Sequence, residues 1–172
     1  MKIGLSSYSL SRAIRAGEMS VIEAIQWIAD EGGEHVEIVP IGFDLVDNPQ
    51  LIEDIRKKAE DVGIDISNYA VGANFVGKSE AEYDKEIEQT MKHVDIAHAL
   101  GCKLMRHDVA SRPIPETSIA QFEEDLPKIV EACRRVADYA AQYGITTSVE
   151  NHGFFVQASD RVQRLIHEVG RD

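Results

Sequence analysis

Cysteine is scarce in this chain: Cys102 and Cys133 stand far apart, with no Cys-x-x-Cys pair. That spacing excludes a disulfide framework and a zinc knuckle, and it fits a reducing, cytoplasmic setting. Both thiols read as small buried residues. Long hydrophobic runs are missing as well. The apolar stretches are a few residues long, against the ~20 that a membrane-spanning helix requires, so no membrane partner is expected. Basic charge is in deficit, with 18 Lys and Arg against 30 Asp and Glu and a net charge of −12. Such a balance repels phosphate backbones, and nucleic acid is not an expected partner. The start, Met1-Lys2-Ile3-Gly4-Leu5-Ser6-Ser7, lacks the charged opening and apolar run of a secretory signal. No Gly-x-Gly-x-x-Gly turn follows it, and the stretch from Gly72 to Gly77 lacks the Lys-Ser/Thr ending of a P-loop. The dinucleotide and phosphate-loop classes recede.

What is present is ordinary globular composition, 44% apolar and 28% charged over 172 residues, enough for one domain spanning 1–172 with a sizeable core. Ile3 to Ser6 is the first strand candidate. Ser20 and Glu23 are spaced as a capping box, and Val21, Ile22, Ile25, Ile28 and Ala29 then repeat at helical period. His35 to Val39 is a second strand, stopped by Pro40. Asn48-Pro49 opens the next helix as cap and first residue, and Gly63 closes it. A third strand, Ile64 to Val71, leads to a helix begun by a second capping box, Ser79 and Glu82. The fourth strand is Lys103 to His107. A long helix ending near Gly144 follows, in which Pro127 either starts the main part or introduces a kink. Thr146 to Val149 is the fifth strand, and Ser159 is expected to cap the last helix.

Strict strand and helix alternation means a parallel sheet with helices packed outside it. Without a glycine-rich first turn, a β/α barrel is favoured over an open doubly wound sheet. A barrel has eight such units in typically about 250 residues, so the fold class expected is an incomplete (β/α) TIM-type barrel of about five units.

Chemistry in a parallel barrel sits where strands end. Those ends are Ser7-Tyr8, Glu37 to Pro40, Ala70 to Asn74, Arg106-His107-Asp108 and Glu150-Asn151-His152. Glu150 ends an otherwise uncharged strand. An inward carboxylate there must be ligated or paired, because an isolated buried one costs several kcal/mol or protonates. A divalent cation would meet the need, and so would a salt bridge to a neighbouring strand. His107 suits a ligand, a proton-transfer partner or a hydrogen-bond donor to substrate, and equally a packed core histidine. Asn151 and His152 follow Glu150 directly, so at most alternate members of that trio share its direction. Glu37 and Arg106 read as supporting groups that touch other site residues rather than substrate. Phe75 and Phe154-Phe155 lie on loops, where aromatics exclude water from a bound sugar or close the barrel top. His93 and His98 read as surface residues.

The alternation, the Arg106-His107-Asp108 strand end and above all Ser148-Val149-Glu150-Asn151-His152-Gly153 resemble the xylose-isomerase-like barrel family, in particular its sugar phosphate isomerase/epimerase branch. The resemblance runs through the chain and is most specific from about Ile129 to Gly170. It implies a divalent cation (Mn, Mg or Co) held by a glutamate after strand five, an aspartate after strand six, a histidine after strand seven and a glutamate after strand eight. Only the first maps here, to Glu150; the remaining ligands are absent from this chain. The implied reaction is proton removal next to the carbonyl of a small sugar, sugar phosphate or cyclitol, through an enediolate, with Glu150 as both ligand and acid/base. His107, Asn151, His152 and Phe75 would contact substrate. With one ligand of four, residues 1–172 are expected to be an inactive portion of such an enzyme. The alternatives are a barrel nuclease acting at abasic sites, which the acidic charge opposes, and a non-catalytic half-barrel whose open edges leave room for a homo-oligomer.

Overall fold

A computed structural model describes residues 1–171, folded as two compact units. The first is built from Met1–Val71 and Asp95–Met105, the second from Gly72–Val94 and Arg106 onward.

In the first unit, β1 (Gly4–Ser6), β2 (His35–Ile38) and β3 (Asp65–Val71) run parallel. A 3-10 turn (Ser7–Leu10) and α1 (Ser11–Arg15) follow β1, and α2 (Val21–Asp30) and α3 (Pro49–Val62) follow β1 and β2. The sequence signals act locally as expected. Ser20 accepts from the Glu23 N–H while the Glu23 carboxylate accepts from the Ser20 N–H at 2.7 Å, a reciprocal cap that opens α2. Asn48 caps α3, with Pro49 in its first turn. Along β2, Val36 and Ile38 are fully buried and His35 and Glu37 are not, so alternation assigns the first pair to the helix side. Gly4 lets β1 approach β2: a Cβ there would sit 2.2 Å from the His35 carbonyl oxygen. Between Val36 and Glu37 the register with β3 shifts, which sets Asn68 opposite Glu37. The 3-10 turn and α1 escape the sequence pattern because α1 has only five residues, too few for helical periodicity to register.

The second unit holds α4 (Glu80–Ala99) through Val94, the end of β4 (Leu104–His107), a 3-10 turn (Ile114–Glu116), α5 (Ile119–Ala141), β5 (Thr146–Val149) and α6 (Ser159–Val169). The capping box at the start of α4 forms, Ser79 N–H donating to Glu82 at 2.9 Å. α5 buries Phe122, Leu126, Ile129, Cys133, Val136 and Ala140 on one face. It begins at Ile119 and continues through Pro127, so the proline does not start the helix. Ser159 does not cap α6: Ala158, in extended conformation, takes the cap position without a side-chain bond, and Ser159 is already helical.

Sheet order follows chain order, β1-β2-β3-β4-β5. Doubly wound sheets reverse direction at a switch point, in orders such as 3-2-1-4-5. The sequential order is the barrel type.

Candidate active site

The strand ends of the second unit carry its concentrated polar groups. On β4, Met105 and His107 are buried at 0% and 1% exposure while Leu104 is 50% exposed and Arg106 lies between. On β5, Thr146 and Ser148 are exposed and Thr147 and Val149 are partly buried. Glu150, just past β5, continues the exposed phase. Period-two alternation therefore sets Arg106 and Glu150 on the face away from the helices and His107 on the opposite face.

Arg106 joins the two strand ends on that face. Its Nη1 donates to Asp108 Oδ1 at 2.7 Å, and its Nε lies 3.1 Å from Glu150 Oε2. The Glu150 side chain remains 48% accessible. The neighbouring strand thus supplies a cationic partner for this half-exposed carboxylate.

His107 is a core residue. Its Nδ1 lies 2.9 Å from the Asp108 carbonyl oxygen, and its ring meets Phe75 edge-on at 6.0 Å. Burial draws its pKa below the ordinary histidine value, the hydrogen bond and charge of Asp108 partly opposing this and Arg106 adding to it. A neutral ring against a carbonyl carries its proton on Nδ1, which leaves Nε2 as an acceptor. His107 also lines a cavity of about 350 Å³, together with Cys133, Ala137, Thr147, Val149 and Val169. Cys133 offers no nucleophile there, because burial pushes its thiol up to about 12.

Phe75 is 1% exposed and its N–H donates to the Val109 carbonyl at 2.9 Å, so it packs beneath the loops. Asn151 and His152 are exposed beside Glu150. Of the residues singled out from sequence, Arg106 and Glu150 come together at the strand ends, Asn151 and His152 are exposed next in the chain, and His107 and Phe75 are buried. Glu37 belongs to the first unit, where its carboxylate accepts from Asn68 Nδ2 at 2.8 Å.

Sequence reasoning missed a second arginine. Arg112, in the loop after β4, grips Asp125 of α5 through Nε at 2.6 Å and Nη2 at 3.0 Å. Asp125 is 8% exposed on the apolar face that carries Phe122, Leu126 and Ile129. A charge at that helical phase was the available signal, since it must find a partner.

Glu150 offers one hard oxygen ligand of the kind divalent cations favour. Among the described residues no three His, Cys, Asp or Glu side chains converge as a ligand set. These residues alone do not fit a catalytic cation.

Comparison with known proteins sets these features in context. Residues 25–172 match the family described as "Xylose isomerase-like TIM barrel". An inosose dehydratase of Glaesserella parasuis serovar 5 (strain SH0165) is 28% identical over 132 residues, covering 72% of this chain and 43% of the relative. A D-psicose 3-epimerase solved in the presence of D-fructose superposes with TM-score 0.78 at 17% identity, over 100% of this chain and 61% of that one. An IOLI protein described with a bound zinc atom gives TM-score 0.78 at 16% identity, over 99% of this chain and 60% of that one. The chain thus spans about half the length of the curated relative and somewhat more of the solved structures. At these identities the superpositions establish the fold, that of part of a TIM barrel. The family match runs from α2 past α6, and the chain belongs to the xylose isomerase-like TIM barrel family.

Proposed function

We propose that this chain is the strand-one to strand-five portion, read as one domain, of a cytoplasmic enzyme that isomerises or epimerises a small sugar or sugar phosphate. The observation that carries the reading is Glu150: a half-exposed carboxylate just past β5, on the face away from the helices, within Ser148-Val149-Glu150-Asn151-His152-Gly153. A carboxylate so placed is suited to take a proton from carbon next to a carbonyl and return it elsewhere, leaving an enediolate between the two transfers. Glu150 would also be one ligand of a divalent cation, Mn, Mg or Co, whose other ligands the described residues do not supply. Asn151 and His152 would bond sugar hydroxyls, and Arg106 would hold Glu150 in place by the pairing described. Residues 1–172 alone are expected not to turn over substrate.

The test uses an intact enzyme carrying this sequence as its first five units. Glu150→Gln is expected to lower washing of solvent deuterium into the substrate α-carbon, followed by NMR, by about 10²–10⁴-fold. Unchanged exchange would sink the role of Glu150. A second reading has its own support, the match to an inosose dehydratase. Proton removal next to a carbonyl begins both reactions. An epimerase reprotonates the enediolate, whereas a dehydratase expels the β-hydroxyl as water. Mass spectrometry of the product separates them, since only the second loses water.

A further inference from the structure

The segment that carries Glu150 is held at both ends by arginines from elsewhere in the second unit. Arg106 pairs with Glu150 at its start. At its far end Phe155 is 1% exposed, and its carbonyl accepts from Arg161 Nη1 at 2.6 Å. Arg161, in the first turn of α6, extends its other terminal nitrogen to the Thr117 carbonyl at 2.9 Å, in the loop that precedes α5. Its guanidinium stands 5.3 Å from the Phe122 ring and 5.8 Å from the Phe155 ring, and these rings meet edge-on at 6.0 Å. Arg112 also lies 5.9 Å from the Phe155 ring while it grips Asp125. Asn151, His152, Gly153 and Phe154 between the two anchored ends are all exposed.

We propose that Arg161 is a positioning residue: with Arg112 it forms a clasp on Phe155 that fixes the far end of the 150–155 segment and so sets how Glu150, Asn151 and His152 are presented. The inference rests on the proposed role of that segment. A guanidinium serves here because its two terminal nitrogens donate to two separate carbonyls while its charge lies near two aromatic rings. Lysine, a point charge on a flexible stem, lacks the fixed fork that spans both carbonyls. The two carbonyls belong to the loops after β4 and β5, so one side chain couples the strand-end loops that a barrel uses for substrate.

Amide hydrogen exchange of the 172-residue chain, read peptide by peptide, tests the clasp. Arg161→Gly is expected to speed exchange at residues 151–157 and 114–118 at least ~10-fold, leaving β1 to β3 unchanged. Arg161→Lys is expected to fall between the variant and the parent protein. Guanidinium at low millimolar concentration, far below denaturing levels, is expected to restore protection to Arg161→Gly at the same peptides, which a merely destabilised fold would not show. Unchanged exchange at 151–157, or a uniform rise over the whole chain that guanidinium leaves in place, would overturn the proposal. These outcomes are independent of turnover. An intact enzyme in which Glu150→Gln stays active defeats the functional reading without touching the clasp.

Discussion

The two units hold their strand ends by different chemistry. In the first, a neutral hydroxyl and a neutral amide do the work, the amide on a carboxylate. The buried Ser7 hydroxyl donates to the Val39 carbonyl at 3.1 Å and accepts from the Val39 N–H at 2.8 Å, and the Asn68 amide donates to Glu37. In the second, guanidinium groups do it: Arg106 on Asp108 and Glu150, Arg112 on Asp125 and Glu116, Arg161 on two carbonyls. Neutral bonds contribute about 1 kcal/mol each and respond little to salt, whereas charge-assisted bonds are roughly twice as strong and respond to whatever competes for either partner. The first arrangement makes a fixed edge. The second makes strand ends fastened through charge.

The sharpest way to break this contrast is Arg112→Ala. It leaves the Asp125 carboxylate on the apolar face of α5 without its bidentate partner, and stability is expected to fall by roughly 3 kcal/mol in urea or guanidinium titrations. Ser7→Ala is the matching change in the first unit. It strips the Val39 N–H and carbonyl of their hydroxyl partner and is expected to lose about 1–2 kcal/mol. A larger loss from Ser7→Ala than from Arg112→Ala would reverse the ranking of neutral and charged fastening.

The next effect is a pH dependence carried by His107. An unfolded histidine titrates near 6.5, and the folded one titrates lower because burial disfavours its charge. Above about pH 6.5 both states hold a neutral ring and the group contributes no slope. As pH falls below that value the unfolded chain takes up the proton first. Stability then declines by at most ~1.4 kcal/mol per pH unit until the folded pKa is reached. His107→Gln is expected to flatten this part of the curve between pH 7 and 5, and an unaltered slope would show that other groups carry it.

How far the sequence foretold these features depended on period. Helix ends were readable because the capping boxes at Ser20 and Ser79 and the Asn48-Pro49 start act through neighbours three residues away or fewer. The phase of β4 was not readable. Leu104 and Met105 are both apolar, so a strand reading Leu-Met-Arg-His gives no alternation to say whether Arg106 or His107 faces the helices. Glu150 was conspicuous as a charge at the end of an uncharged strand. Its partner was not, because the reach of Arg106 depends on strand pairing, which the order of residues alone does not display. The contacts of Arg161 had no signature at all, since its acceptors are backbone carbonyls that any residue could supply. Asp125 is the intermediate case: its phase on α5 was a signal that went unread, and its partner Arg112 lay in an aperiodic loop.

The smallest expected effect separates the two glutamates themselves. Glu150 meets a guanidinium at 3.1 Å with its side chain 48% accessible, while Glu37 meets a neutral amide at 2.8 Å. A double-mutant cycle on Glu150→Gln and Arg106→Gln is expected to give a coupling below about 1 kcal/mol at low salt, because solvent screens a pair this exposed. Raising ionic strength to 1 M, where the screening length falls to about 3 Å, should reduce that coupling further. The corresponding cycle on Glu37→Gln and Asn68→Ala should be of similar size and indifferent to salt, since one partner carries no charge. Equal salt responses in the two cycles would show that the charge of Arg106 adds nothing measurable to its pairing with Glu150.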